Sequence, residues 1–235
     1  MDTSAVERVQ GGLSSMTWIP VDARGERCIY MFPNVTATVT PDQIRSRFAP
    51  YIRQAKHFHT EASQLPLAPV LEAIRIAKSA GVKVIFDLDV DPTYFVQAGL
   101  GSEDDLKEAL RLTDVLKPCK AAARELTRQD DYEKMAAGLL ALGPEIVALT
   151  MGSDGCLLAT KQSKVHRPSF KVRVMDTTGA GDAFMGGLSY ALLQGWPLDR
   201  VASFANACAA LCCTRVGARA MSNLQEVENL IQANR

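Results

Sequence analysis

The sequence predicts an α/β protein of three layers, in which helices cover both faces of a mostly parallel central sheet. Short apolar runs such as Val82–Leu88 and Glu145–Thr150 alternate with helical patterns, as is typical of parallel sheets. Apolar residues make up 47% of the chain and charged residues 22%, as in ordinary globular proteins. No repeat, low-complexity tract or linker interrupts this order. We therefore predict a single domain over residues 1–235, which buries roughly 70–75% of its unfolded surface.

The first elements are predicted from turn and capping signals. Residues 16–32 alternate apolar and polar side chains around a turn at Asp22–Gly25, which predicts a β-hairpin attached to the domain. Thr40 and Pro41 predict the start of a helix that continues to about Gln54, because Thr is a preferred N-cap and Pro is tolerated at the first helical position.

The remaining elements follow from the period of the apolar residues, which is two in strands and close to four in helices. Gly81 is predicted to end the second long helix, since glycine adopts the backbone conformation that follows a helix. Acidic residues Asp87, Asp89 and Asp91 lie at the end of the buried strand Val82–Leu88. The predicted strands are 56–60, 82–88, 114–117, 145–150, 156–160 and 170–175, and the predicted helices are 69–80, 102–112, 119–127, 131–142, 179–194, 198–213 and 222–233.

Charge and hydropathy argue against two classes of partner. The 26 basic and 26 acidic residues give a net charge of +0, and no basic stripe occurs, so we predict no nucleic-acid partner. No apolar run reaches 18 residues, and Met1–Ser4 lacks the apolar core of a signal peptide, so we predict no membrane association. A cytoplasmic location is the corresponding expectation.

Cysteine and histidine positions do not indicate a metal or catalytic triad. The six cysteines contain no C-x-x-C pair, which is consistent with a reducing compartment. Cys208 and Cys212 are one helical turn apart, which leaves a metal site open, but small buried thiols on a packed helix are favoured. Of the three scattered histidines, His59 ends a strand near the expected cleft, and a structural role is favoured for it.

The most informative stretch is Asp176–Phe184, which reads D-T-T-G-A-G-D-A-F. A strand-like run, Phe170–Met175, precedes it, and a helical pattern follows from Ala183 to Leu193. Small residues at 179–181 allow backbone N–H groups at a helix start to approach an anion, aided by the positive end of the helix dipole. With the carboxylate of Asp182 beside them, these amides suit phosphoryl transfer to a hydroxyl group.

The alternative for this stretch is purely structural: Asp182 favours a helix N-terminus and the glycines turn the chain. Two other nucleotide motifs do not fit. A dinucleotide fingerprint needs a third glycine where Phe184 stands, and no G-x-x-x-x-G-K-[ST] sequence occurs.

Taken together, these motifs resemble those of the ribokinase-like (PfkB-type) carbohydrate kinases. D-T-T-G-A-G-D-A-F with Gly186-Gly187 is similar to the family's C-terminal signature. Thr150–Gly155 is similar to its T-x-G-x-x-G nucleotide loop, and Asn206 and Thr214–Ala218 fall where its nucleotide-side helix and C-terminal loop lie. The resemblance covers about residues 16–230. It implies a three-layer αβα ribokinase-like fold in which residues 16–32 are a partial β-hairpin lid.

The resemblance also implies roles for individual residues. Asp182 would be the general base, and Gly179, Ala180 and Gly181 would supply amides for the transferring phosphoryl group. ATP with Mg²⁺ would be the phosphoryl donor. A larger group carries further implied roles: Thr150, Gly152, Gly155 and Asn206 would bind the nucleotide, and Asp176 and Thr178 would bind an activating monovalent cation such as K⁺.

Several of these positions have structural alternatives. Gly152 and Gly155 could simply form the tight turn between two strands. Asn206 could form hydrogen bonds within a helix interface, and Asp176 could stabilise the strand-to-helix turn through an Asx interaction.

The chain departs from the family pattern in two ways. The family carries additional strands and helices before the region that matches residue 1, including a sugar-binding Gly-Gly motif, so we expect a truncated member whose sheet has an exposed edge. The family's N-x-x-E motif, which organises Mg²⁺ and phosphates, falls where Cys119 and Ala122 stand. Glu125, one turn further on, is a candidate replacement for the missing carboxylate.

The sequence therefore predicts an ATP-dependent kinase that phosphorylates a hydroxymethyl group of a small sugar or sugar acid. The alternative is a catalytically impaired or truncated family member that acts as a nucleotide-binding or partner module. The predicted partners are a small-molecule sugar and, since lid-mediated dimers occur among relatives, a second copy of the chain.

Overall fold

The computed structural model describes residues 3–20 and 28–234. Within these residues the chain forms a six-stranded sheet, flanked by helices, and a separate two-stranded sheet. The turn predicted at Asp22–Gly25 lies outside the described residues, so its prediction stays open.

The six-stranded sheet runs in the order of the sequence, β3-β4-β5-β6-β7-β8. Its strands are β3 (His57–Ala62), β4 (Lys83–Leu88), β5 (Val115–Pro118), β6 (Ile146–Thr150), β7 (Cys156–Ala159) and β8 (Lys164–Arg167). The pairs from β3 to β6 are parallel, whereas β6–β7 and β7–β8 are antiparallel. As expected, the sheet has an open edge: among the described residues, β3 pairs with β4 alone.

The predicted hairpin forms the second sheet. Its strands are β1 (Met16–Trp18) and β2 (Tyr30–Phe32), which pair antiparallel with Thr17 opposite Met31. The rings of Trp18 and Tyr30 stack with centroids 5.4 Å apart, a cross-strand contact that stabilises a short sheet.

Helices cover both faces of the large sheet. One face carries α2 (Ala49–Gln54), α3 (Leu67–Ser79), α5 (Glu103–Leu112), α6 (Lys120–Thr127) and α7 (Tyr132–Ala141), and the other carries α8 (Ala180–Leu193), α9 (Leu198–Cys212) and α10 (Leu224–Ala233). Neighbouring strand residues point to opposite faces of the sheet. Phe86 packs in the core beneath α3 and α5, and Ile85 packs in the core beneath α8 and α9. The three-layer prediction is therefore confirmed.

The first helical segment confirms the capping prediction. The Thr40 hydroxyl accepts the N–H of Gln43, and the Gln43 side chain accepts the N–H of Thr40 in return, which is a capping box. After α1 (Pro41–Gln43) the segment passes through a π-helical turn, Ile44–Phe48, before α2. The sequence predicts one continuous helix here, because a π turn cannot be recognised from the spacing of the apolar residues.

Three further segments differ from the prediction. Residues 170–175, predicted as a strand, have no regular structure, and the last strand of the sheet is β8, which was not predicted. Pro168 follows β8 at once, and the buried Asn206 side chain binds the carbonyls of Arg167 and Pro168, so the chain leaves the sheet there. The helix α4 (Pro92–Gln97), capped by the Asp91 carboxylate, was also not predicted.

In the part of the chain described here, no helix combines the length and the apolar character that crossing a bilayer requires.

Gly155 joins β6 to β7 in a tight turn. Its φ is +93°, and a Cβ atom built on it would lie only 2.0 Å from the carbonyl oxygen of Arg167 on β8. Gly152, in the same turn, has a φ of +59° but open space where its Cβ would be. Gly155 therefore forms the tight turn between the two strands, and its backbone position excludes any side chain.

We expect Gly155→Ala to lower the free energy of unfolding by more than about 3 kcal/mol, because the new methyl group collides with fixed backbone. The matched variant Gly152→Ala, which has only the positive φ to accommodate, should cost about 1 kcal/mol. Urea unfolding monitored by circular dichroism measures both values. Equal losses for the two variants would contradict the proposed close approach.

Candidate active site

A cleft of about 730 Å³ opens where the parallel strands end and α8 begins. This edge is where open α/β sheets bind their ligands. Thr17 and Met31 of the hairpin also line the cleft, and a lid role for the hairpin stays a prediction. Of the predicted site residues, the cleft lining contains Thr150, Gly152, Thr178, Gly179, Gly181 and Asp182.

The start of α8 presents backbone amides to the cleft. Gly179 has a φ of +82°, and a Cβ on it would lie 2.5 Å from the carbonyl oxygen of Ala218, so only glycine fits. Within the described chain, no acceptor is assigned to the N–H groups of Gly179, Gly181 and Asp182. Ala180 differs from the prediction: its N–H donates to the Thr177 carbonyl at 3.2 Å and is therefore used within the turn.

Asp182 lies in the first turn of α8, and its side chain is exposed to the cleft. Partial burial in the cleft raises the pKa of its carboxyl group, and the nearby Asp89 carboxylate adds to the effect. The Lys117 ammonium acts in the opposite direction and lowers that pKa. A carboxylate with a raised pKa is a stronger base, which suits proton removal from a hydroxyl group.

The Asp176 carboxylate is engaged in two hydrogen bonds. Its Oδ1 accepts the N–H of Thr178 at 2.8 Å, and its Oδ2 accepts the N–H of Gly217 at 2.9 Å. The first bond is the Asx interaction that the sequence left open. In addition, the second bond joins the turn before α8 to the loop after α9.

The predicted nucleotide residues divide into two groups. Thr150 and Gly152 line the cleft, whereas Gly155 and Asn206 do not. The buried Asn206 donates to the carbonyls of Arg167 at 2.9 Å and Pro168 at 3.2 Å, as in the predicted alternative of a helix interface. The direct nucleotide contacts predicted for Gly155 and Asn206 therefore have no support in this geometry.

The residues at the position of the family's N-x-x-E motif make contacts within the protein itself. The Cys119 thiol caps α6 by accepting the Ala122 N–H at 3.4 Å, and Ala122 is buried in the core. Glu125, the candidate replacement, instead accepts the N–H and hydroxyl of Thr93 at 2.9 and 2.8 Å. Neither position 119 nor 122 offers an oxygen to a metal ion.

The cysteine pair on α9 packs against α8. The Cys208 sulfur lies 2.8 Å from where a Cβ of Gly187 would be, and burial raises the pKa of its thiol to about 12. Cys212 donates to the Thr178 carbonyl at 3.7 Å. These contacts support the packed-thiol interpretation, and among the described residues no group of three or more metal-ligating side chains was found.

A buried ion pair beneath the cleft was not predicted. The Lys117 Nζ atom lies 2.9 and 3.0 Å from the two carboxylate oxygens of Asp87 and 3.3 Å from Asp89. Burial raises the pKa of Asp87 to about 7, while Lys117 opposes this rise. Burial also disfavours the Lys117 charge, but the two carboxylates overcome this effect and raise its pKa. The available signal in the sequence was that each of two buried strands contains a charged residue, Asp87 in one and Lys117 in the other, of opposite sign.

Comparison with known proteins places these features in a family. A family profile described as pfkB family carbohydrate kinase matches residues 1–225. An ATP-dependent ribose-1-phosphate kinase from Halopiger xanaduensis is 34% identical over 221 residues, which cover 93% of this chain and 68% of that protein. The aminoimidazole riboside kinase of Salmonella typhimurium is 31% identical over 220 residues, covering 87% of this chain and 66% of that protein.

Solved structures agree with the sequence relatives. Ribokinase from Thermotoga maritima superposes with a TM-score of 0.77 at 28% identity, covering 94% of this chain and 70% of that one. An E. coli protein described as a ribokinase II candidate, in complex with ATP and Mg²⁺, has a TM-score of 0.79 at 27% identity, covering 89% of this chain and 68% of that one. The predicted ribokinase-like fold is therefore confirmed.

We expect Asn206→Ala to lower the free energy of unfolding by about 1–3 kcal/mol, because the carbonyls of Arg167 and Pro168 lose their donor and the buried amide is removed. The shift in melting temperature caused by saturating ATP should stay unchanged. The control is Asn229→Ala, which removes an exposed asparagine of α10 and should cost less than about 0.5 kcal/mol. A reduced ATP shift in the Asn206 variant alone would indicate direct nucleotide contact.

Proposed function

We propose that this chain, which belongs to the pfkB family of carbohydrate kinases, transfers the γ-phosphoryl group of ATP to a hydroxymethyl group of a small sugar or sugar acid. The observation that carries the proposal is the meeting of amides and base in one cleft. The N–H groups of Gly179 and Gly181 and the carboxylate of Asp182 open on the same space, which also reaches Thr150 and Gly152.

The proposed reaction is a direct displacement at phosphorus. Asp182 orients the acceptor hydroxyl and takes its proton, and the hydroxyl oxygen forms a bond to the γ-phosphorus. The bond to the bridging oxygen breaks at the same time, and ADP leaves with that electron pair. The α8 amides donate to the oxygens of the transferring group, where negative charge is concentrated, and the helix dipole adds to this stabilisation.

Mg²⁺ is part of the proposal only as a companion of ATP. It supplies charge neutralisation of the phosphates, and it is bound mainly by phosphate oxygens and water in many such sites. The family's protein donors do not fit here, because Cys119 and Ala122 carry no side-chain oxygen. We therefore assign no step of the reaction to a protein-held Mg²⁺.

A monovalent cation such as K⁺ is proposed beside Asp176 and Thr178. The Asp176 carboxylate lies at the turn before α8, where its two oxygens accept the N–H groups of Thr178 and Gly217, and Thr178 lines the cleft. We expect faster turnover in potassium chloride than in tetramethylammonium chloride of equal ionic strength, measured by ADP release. Equal rates in the two salts would remove the cation from the proposal.

For the general base, we expect Asp182→Asn to lower kcat by about a hundredfold or more, because the amide cannot accept the hydroxyl proton. The assay couples ADP release to NADH oxidation over a panel of ketoses, pentoses and sugar acids. ATP should still raise the melting temperature of the variant, which shows that nucleotide binding survives.

The matched control is Asp104→Asn, which removes an exposed carboxylate from the first turn of α5. Its kcat should equal that of the wild type. Near-normal turnover in the Asp182 variant would refute the assigned base. Wild-type protein that binds ATP but turns over no member of the panel would support the nucleotide-binding module instead.

A further inference from the structure

Lys117 lies directly beneath the first turn of α8. It stands on β5, its side chain is 4% exposed, and the residue forms part of the lining of the cleft. A Cβ atom built on Gly181 would lie 3.3 Å from the Lys117 Nζ atom. The absence of a side chain at Gly181 therefore lets a fixed positive charge lie against the amides that open on the cleft.

Two carboxylates hold this ammonium group in place. Asp87 is buried beside it and contacts it with both oxygens, whereas the side chain of Asp89 is 53% exposed and faces the cleft. The Asp87 contact fixes the position of Nζ from below. Burying an ammonium ion costs free energy even when it is paired, and apolar side chains of similar size would fill the same space at lower cost. Packing alone therefore does not explain this ion pair.

Asp182 is surrounded by charges from several elements. The groups that face it are Glu61 and His59 from β3, Asp89 after β4, Lys117 from β5 and the Cys212 thiol from α9. The carboxylates among them disfavour its ionised form. Lys117 is the buried cation of this set, and its position is fixed, whereas His59 is exposed at the sheet edge.

We propose that Lys117 is a positioning residue for phosphoryl transfer: its charge, fixed by Asp87, keeps Asp182 ionised and reinforces the anion-binding amides of α8. The inference rests on the proposed function, because it assumes that Asp182 is the base. It adds a residue that acts on the reaction through Asp182 and through the field at the helix start, without contacting the acceptor sugar.

The opposing interpretation is a purely structural ion pair, and a double variant separates the two. Lys117→Gln leaves Asp87 without its cation, so loss of activity could come from loss of stability. Asp87→Asn/Lys117→Gln removes both charges and keeps a hydrogen-bonding pair. A structural role predicts that this double variant recovers both stability and activity.

We expect the double variant to recover most of the melting temperature lost in Lys117→Gln, but not the pH profile. The acid limb of kcat/KM should stay displaced to higher pH than in the wild type, with rates measured from pH 8 down to the pH at which activity is lost. The displacement is to higher pH because Asp182, without the neighbouring cation, needs a higher pH to ionise. A wild-type pH profile in the double variant would overturn the proposal.

Asp89→Asn gives a second test that does not disturb the buried Asp87–Lys117 contact. Removing this exposed carboxylate should displace the acid limb to lower pH, opposite to the Lys117 variants. A shift to higher pH in the Asp89 variant would overturn the proposal, and this variant can be measured even if the double variant fails to fold. Asp182→Asn distinguishes failure of the proposed function from failure of this inference. If that variant remains active, the assignment of Asp182 as the base fails. A wild-type pH profile in the double variant refutes only the role of Lys117.

Discussion

The position at which α8 begins depends on a close backbone contact between Gly179 and Ala218. The Ala218 carbonyl occupies the space of a Gly179 side chain, and the positive φ of Gly179 turns the chain into the helix. Asp176 holds both sides of this contact, because it accepts the N–H groups of Thr178 and Gly217. As a result, the first turn of α8 is braced by the loop after α9, and its amides open on the cleft.

The cleft concentrates charge in a chain whose basic and acidic residues cancel. Lys117, Asp87, Asp89 and Asp182 belong to one electrostatic group, although the net charge of the protein is +0. A neutral chain offers no long-range attraction for a triphosphate, so binding has to rely on charges and dipoles at short range. In addition, a site with low solvent exposure strengthens each of these interactions.

Most of the fold could be predicted because the central strands are buried on both faces and leave continuous apolar runs. The end of the sheet could not: β8 reads Lys-Val-His-Arg with one apolar residue, whereas the irregular segment 170–175 has the alternation of a strand. The motif residues around Asp182 could be predicted because they are contiguous. Lys117 and Asp87 are 30 residues apart and become neighbours only through the register of β4 and β5, which pairs their Cα atoms.

At the altered N-x-x-E position, residues that organise Mg²⁺ in the family are replaced by residues that stabilise the fold. Cys119 caps α6, Ala122 fills the core, and Glu125 fastens α6 to Thr93 at the start of α4, so this helix serves packing. Ala122 is buried, so a carboxylate at this position would lose its hydration, which costs several kcal/mol unless a partner replaces it. In the proposed function, the charge of a bound triphosphate then falls to the α8 amides and Lys117, which line the same cleft. The local substitution and the buried lysine are therefore two parts of one electrostatic arrangement.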